Sequence, residues 1–233
     1  SRGVMEVMRR AGIAASRLAL VPSGVAFAVA PGPPATDLRA VIGAPAGAPV
    51  VGTVAALAPH KNHADLLEAA AEVVAQRPDV HFTWLGEGEC RPALERRRRE
   101  LKLEGNVHLL GFREDALALV PQFTVFALSS YLEGLCTSLL DAQRLGVAVV
   151  ATAVGGVPDV IEDGVNGRLV PGRESPALAA ALLAALADGA ARTRWAAAAR
   201  LSVEAFRSER MVEGTLELYR AVLHEKAGPD AVA

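Results

Sequence analysis

Residues 123–152 read FTVFALSSYLEGLCTSLLDAQRLGVAVVAT. The apolar run at 123–127 is short and ends at a pair of serines. A stretch with helical spacing follows over 138–145, and a second apolar run occupies 147–152. Apart from Thr124 and Thr152, both runs are apolar at successive residues, not at alternate ones. That pattern fits strands buried on both faces, and two such strands joined through a helix lie parallel.

The same alternation extends outward. Upstream, it predicts strands at 50–55, 80–85 and 107–110, with helices at 64–76, 92–101 and 114–120. Downstream, it predicts a helical turn at 157–161 and a last short strand at 167–170. The expectation is a doubly wound α/β domain, with one parallel sheet covered on both sides and ligands bound beyond the carboxyl ends of its strands. Alanine-rich stretches at 175–200 and 204–224 predict two or three C-terminal helices. Near the start, Val4, Val7 and Met8 recur at helical spacing, and Gly12 stops that helix. LALVPSGV at 18–25 reads as a short strand broken at Pro22, and 30–49, rich in Pro, Gly and Ala, as a linker. The division expected is 1–48 as a crossing segment with a first strand, 49–200 as the core domain, and 201–233 as a C-terminal helix and tail. The chain opens on Ser1, which reads as a piece cut from a longer protein.

Composition narrows the classes. The 233 residues are 52% hydrophobic and 21% charged, which excludes a disordered chain. A net charge of -2 offers no basic field for nucleic acid. Two cysteines, Cys90 and Cys136, without a CxxC, exclude a disulfide framework and point to the reducing cytoplasm. The alanine-rich 177–187 is too short for a bilayer helix of about 20 residues.

Five places carry candidate chemistry. In GTVAALAPHKNH, residues 52–63, Lys61 stands before a helix at the mouth of the sheet, where a lysine suits a phosphate; an ordinary loop lysine is the plain alternative. His60 and His63 flank it, but a metal would need further ligands and no HExxH occurs. LGEGE at 85–89, with Gly86, is half a dinucleotide fingerprint; its third glycine is replaced by Arg91, so a tight turn accounts for it as well. In SYLEGLCTSLLD, residues 130–141, the helix start offers free amides to an anion. Glu133 stands ahead of that start and Asp141 lies within the helix, about 12 Å apart at eight residues of helical rise. Two acids so placed suit the ends of an extended ligand; an acid favouring a helix start and a surface acid are the equal alternative. AVGGVPD at 153–159 lets backbone approach a ligand or another backbone; a plain turn from strand to helix is nearly as good an account. Arg96 to Arg99 point around a helix, a solvated face whose rival reading is contact with acidic lipid.

Taken in order, the stretches VPSGV at 21–25, GTVAALAPHKNH at 52–63, WLGEGECRPALE at 84–95, VHLLGFREDALALV at 107–120 and SSYLEGLCTSLLDAQRLGVAVVATAVGGVPDVIEDGVNGRLV at 129–170 resemble the C-terminal half of retaining glycosyltransferases of family 4, the group 1 glycosyl transferases of GT-B fold. The resemblance covers nearly the whole chain. It implies a Rossmann-like donor domain, one half of a GT-B fold, facing an N-terminal acceptor domain that this sequence does not contain. It implies a nucleotide-diphosphate sugar as donor, UDP- or GDP-linked, with no cofactor and no metal. The acceptor would be a glycan, a lipid or a small molecule, and the setting cytoplasmic, with peripheral association at the membrane.

By that resemblance, Glu133 and Lys61 are the catalytic residues. Glu133 would stand against the donor sugar near the reacting carbon, and Lys61 would bind the diphosphate leaving group. Gly134 and the amides of Leu135 and Cys136 would meet the sugar, those of Thr137 and Ser138 the diphosphate, and Asp141 the ribose hydroxyls. Phe112, Arg113 and Leu117 would border the base, and Gly86 would line the donor pocket. Three positions depart from the family pattern. Ala56 stands where an arginine usually accompanies the lysine, Asp141 is shorter than the usual glutamate, and Cys136 replaces a proline or small residue. Two rivals follow. Ala56 and Asp141 suit a non-catalytic nucleotide-sugar-binding or interaction module, and GEGECR at 86–91 is too incomplete for a NAD-dependent oxidoreductase. The chemistry agrees with the first reading: a lysine and a helix start stabilise a departing diphosphate, and no DxD triplet signals a bridging metal.

Overall fold

The computed structural model describes residues 1–27 and 36–227. Six strands, β1 (Val50–Val54), β2 (His81–Leu85), β3 (Val107–Gly111), β4 (Val125–Leu128), β5 (Val149–Thr152) and β6 (Arg168–Val170), form one sheet in the order β3-β2-β1-β4-β5-β6. Every pairing within it is parallel. Val51 sits opposite both Phe82 and Val125, so β1 is the central seam. From β1 the chain winds outward through β2 to β3, then returns to the other side of β1 and winds outward from β4 to β6. The order reverses between β1 and β4.

The apolar runs divide their side chains between two cores. Val51, Val125, Ala127 and Val150 face one core, which α3 (His63–Gln76), α4 (Arg91–Glu100) and α8 (Ser175–Ala187) complete with Leu66, Leu67, Val73, Leu94 and Leu182. Val50, Phe126, Leu128, Val149 and Ala151 face the other, completed by α2 (Leu38–Ile42), α6 (Thr137–Arg144) and α7 (Val157–Val160). In β2, β4 and β5 each residue is therefore buried whichever way it points, which is why those runs are continuous, whereas the edge strands β3 and β6 are buried only in part. Small residues let α3 and α8 approach closely: Ala69, Ala70, Ala179 and Ala185 are all buried. Burial of a leucine such as Leu66 contributes roughly 1.5–3 kcal/mol. After α8, helices α9 (Gly189–Ser202) and α10 (Ser208–Ala227) finish the described chain, preceded at the start by α1 (Arg2–Arg10) and in the β3–β4 connection by α5 (Ala116–Leu119).

Two expectations are corrected. The stretch 18–25 is no strand; only Val25 bridges, to Arg207. Pro22 and Gly24 leave no run long enough to pair. The linker expected over 30–49 holds the helix α2, with Leu38 and Ile42 in the core; residues 28–35 of it lie outside the described ones. Asp37 caps α2 through Arg39 N, and Gly43 closes it at φ 66, so this short helix begins and ends on its own local signals.

Candidate functional site

The loops leaving β1 and β4 lie side by side where the strand order reverses, the place where ligands of such sheets bind. A single 3-10 turn, Pro59–Lys61, ends at Asn62, whose φ of 53 turns the chain into α3. This turn is stitched to the β4 loop twice: Tyr131 N donates to His60 O at 2.9 Å and Ser129 Oγ to Lys61 O at 2.9 Å. Lys61 is thereby held across the seam from Glu133. Its Nζ donates to Glu133 Oε1 at 2.7 Å, and Ser130 Oγ donates to the same oxygen at 2.6 Å. The Glu133 side chain is 5% exposed and that of Lys61 17%. A carboxylate so buried is tolerable only with a cation and a hydrogen bond beside it.

The glycines after β5 support that loop from below. A Cβ on Gly155, at φ 55, would fall 1.8 Å from Glu133 O, and Gly156 N donates to Glu133 O at 3.3 Å. The two glycines thus form the turn from β5 into α7 and bring its backbone against that of Glu133. Gly134 and Leu135 continue from Glu133 and, with Gly156, border a cavity of about 840 Å³ that runs beneath α1.

Helix α6 starts at Thr137 with no side-chain cap from Cys136, so its first amides are open to an anion. Cys136 is buried, and burial pushes its thiol pKa up. Its Sγ lies 3.5 Å from Ser138 Oγ. Asp141 is half-buried on the same helix; burial raises its pKa and the charge of Arg144, 3.8 Å away, pulls it back down.

The structure brings Lys61, Glu133 and Gly134 to the opening of α6. It keeps Phe112, Arg113 and Leu117 apart from them, after β3 and on α5. Phe112 is 75% exposed, and Arg113 is held by Asp115 at 2.6 Å. Three strand spacings separate β3 from β4, roughly 14 Å, so one ligand would have to run along the strand ends to touch both groups. Gly86 is explained by packing: its N donates to Gly111 O at 2.8 Å, and a Cβ would lie 2.0 Å from Ala55 O. His63 is buried against Trp84, at 5.2 Å between ring centroids; burial first and the Lys61 charge second push its pKa down to about 4. It is a core histidine. Among the described residues no three His, Cys, Asp or Glu side chains converge as a metal site. No helix among them is long and apolar enough to cross a membrane. The arginine run splays as expected: Arg97 binds Glu68 and Glu100, and Arg98 donates to Val107 O.

Three site residues escape the sequence reading. Ser130 bonds to Glu133, Thr152 Oγ1 donates to Ser130 O at 2.6 Å, and the Arg173 guanidinium lies over the Tyr131 ring at 4.4 Å. For Ser130, the local signal was a serine three residues ahead of an acid at a strand end. Arg173 comes from the loop after β6, and nothing in the sequence links it to Tyr131.

Known proteins supply the comparison. The chain is 33% identical over 158 residues to the lipopolysaccharide core biosynthesis glycosyltransferase LpsE of Rhizobium meliloti, covering 68% of this chain and 45% of that protein. It is 32% identical over 232 residues to the D-inositol 3-phosphate glycosyltransferase of Kineococcus radiotolerans, covering 91% of this chain and 53% of that one. The crystal structure of Anabaena Alr3699/HepE in complex with UDP superposes with a TM-score of 0.72 at 27% identity, over 79% of this chain and 51% of that one. The chain thus spans about half the length of the curated relatives it matches. The sequence profile of the group 1 glycosyl transferases matches residues 35–202, and with six parallel strands wound about a seam that holds Lys61 against Glu133, the chain belongs to that family.

Proposed function

We propose that this chain is the donor-binding half of a retaining family 4 hexosyltransferase, which takes a UDP- or GDP-sugar and, in the longer protein, passes the hexose to a glycan, lipid or small-molecule acceptor. The observation that carries this reading is the Lys61–Glu133 pair at the uncapped start of α6, where the strand order reverses. A lysine ammonium has three protons, and Glu133 takes one, leaving two for phosphate oxygens. The amides of Thr137 and Ser138 add the partial positive charge of the helix start. As the bond between sugar carbon and phosphate breaks, negative charge grows on the diphosphate and these groups stabilise it, with no metal or cofactor in the scheme. Losing one such donor typically costs about 3–4 kcal/mol in the transition state. Positive charge grows on the sugar carbon, and Glu133 offers a carboxylate to it. Asp141 would accept from the ribose hydroxyls, and the loop of Phe112 and Arg113 would border the base.

The half of the protein that holds the acceptor lies outside this chain in the proposal, so the chain binds donor and transfers little. A cytoplasmic site of action, peripheral to the membrane where the acceptor is a lipid, belongs to the same reading. Support comes from the relatives' named activities and from the UDP held by the Anabaena protein. Isothermal titration with UDP, GDP and ADP tests it. Binding of one of them in the micromolar range is expected, and no binding of any at millimolar concentration refutes it.

A further inference from the structure

We propose that Ser130 is a positioning residue that holds Glu133 in place when Lys61 turns to the donor's diphosphate; the inference rests on the donor-site reading above. Ser130 is fully buried, and its hydroxyl donates to Glu133 Oε1. Its own backbone is pinned from two sides. Thr152 of β5 donates to Ser130 O, while the residues either side of Ser130 are bonded to the β1 loop at Lys61 O and His60 O. The serine therefore cannot follow Glu133 if the carboxylate swings; it acts as a fixed post.

The pattern at the carboxylate gives that post a purpose. Lys61 and Ser130 both bind Oε1, and among the described residues Oε2 accepts no hydrogen bond. One oxygen anchors the group and the other is left for a ligand. Were Lys61 the sole anchor, every step of its ammonium toward a phosphate would release Glu133 from its bearing on the sugar. A second donor, fixed to the sheet and uncharged, removes that conflict. Lys61 is free to share its protons with the diphosphate while Glu133 stays aimed. A hydrogen bond to a charged acceptor is stronger than one between neutral groups, so the serine can hold the rotamer once the ammonium is shared.

The test compares the Kd for UDP with that for UDP-glucose, and for GDP with GDP-mannose, in wild type and Ser130→Ala, after thermal unfolding shows the variant folded at the assay temperature. Glu133 touches the sugar in this scheme and not the nucleotide. Ser130→Ala is therefore expected to keep the bare nucleotide within about twofold and to weaken the nucleotide sugar roughly tenfold relative to it. Ser130→Cys, near in size and a far weaker donor, shifts the ratio in the same direction and serves if the alanine variant does not fold. An unchanged ratio, whether both ligands weaken together or neither does, overturns the assignment while leaving the donor site standing. A wild type that binds neither nucleotide nor nucleotide sugar overturns the donor site, and Ser130's role with it.

Discussion

Replacing Lys61 by methionine removes the cation from a carboxylate that is 5% exposed and leaves Ser130 as its hydrogen-bond donor among the described residues. Removing one partner of a buried pair typically costs 3–5 kcal/mol, because the charge left behind is desolvated and uncompensated. Here Lys61 retains 17% exposure and Ser130 remains bonded, so the lower end, about 3 kcal/mol, is expected. For a chain of this size that is a fall in Tm of roughly 6–12 °C. Glu133→Gln leaves a lysine that reaches water, and costs about 1–2 kcal/mol. In the double variant neither charge is stranded, so the two losses do not add, and a coupling of about 2 kcal/mol is expected. Urea unfolding of the four proteins at one pH measures the cycle. Nucleotide binding supplies a second reading with opposite signs. Lys61→Met weakens UDP, whereas Glu133→Gln releases the ammonium from its carboxylate and tightens bare UDP. Additivity of the two stability losses within about 0.5 kcal/mol would show that the pair contributes nothing as a pair. Weakened UDP binding in both variants would remove the competition between Glu133 and phosphate for Lys61.

The remaining predictions concern groups around the seam. His63 is neutral in the fold down to about pH 4, whereas the unfolded chain takes up its proton near 6.5. Stability is thus complete above pH 6.5 and falls as pH drops toward 4, by about 3 kcal/mol from this residue, and urea midpoints of His63→Phe across that window should lose that part of the slope. Burial raises the pKa of Asp141, so UDP-glucose, whose diphosphate has no ionisation near neutrality, should bind at full strength above that raised value and weaken as pH falls through it. Asp141→Asn should erase the step, and an unaltered pH profile in titrations of that variant removes the ribose role. Arg173 has no carboxylate partner among the described residues and lies over Tyr131. Arg173→Ala should weaken UDP by up to about fivefold at low salt, the scale of an exposed charge contact, and the difference should vanish near 1 M salt.

Much of the fold was legible because the sheet is buried on both faces. Val125 to Leu128 must be apolar throughout, since Val125 and Ala127 feed one core while Phe126 and Leu128 feed the other. Helix α2 was not legible by composition, because its Pro- and Gly-rich flanks mask five helical residues; only Asp37 and Gly43 mark its ends. At the site, the sequence places Lys61 and Glu133 on loops that meet, yet it does not show that they bind each other, because 72 residues separate them and only the strand order β2-β1-β4 brings the loops together. His63 was equally opaque. In sequence it flanks a loop lysine, but α3 turns its ring inward onto Trp84 of β2.

The buried pair also explains why a carboxylate can stand at this place before any ligand arrives. An isolated carboxylate with Glu133's burial would be strongly disfavoured in its charged form. Lys61 makes the charge tolerable, and in doing so leaves the two side chains neutral as a unit. Under the proposed function, a diphosphate would meet a lysine already aimed, beside the open amides of α6, and would share it with Glu133. The sugar end, in contrast, would need the carboxylate to stay aimed while the ammonium is shared. Ser130, pinned by Thr152 to the sheet, is the group that permits it. Under the proposed function, stability of the empty site and charge stabilisation on the departing diphosphate would draw on one ammonium, and the serine would keep the carboxylate in place while they do.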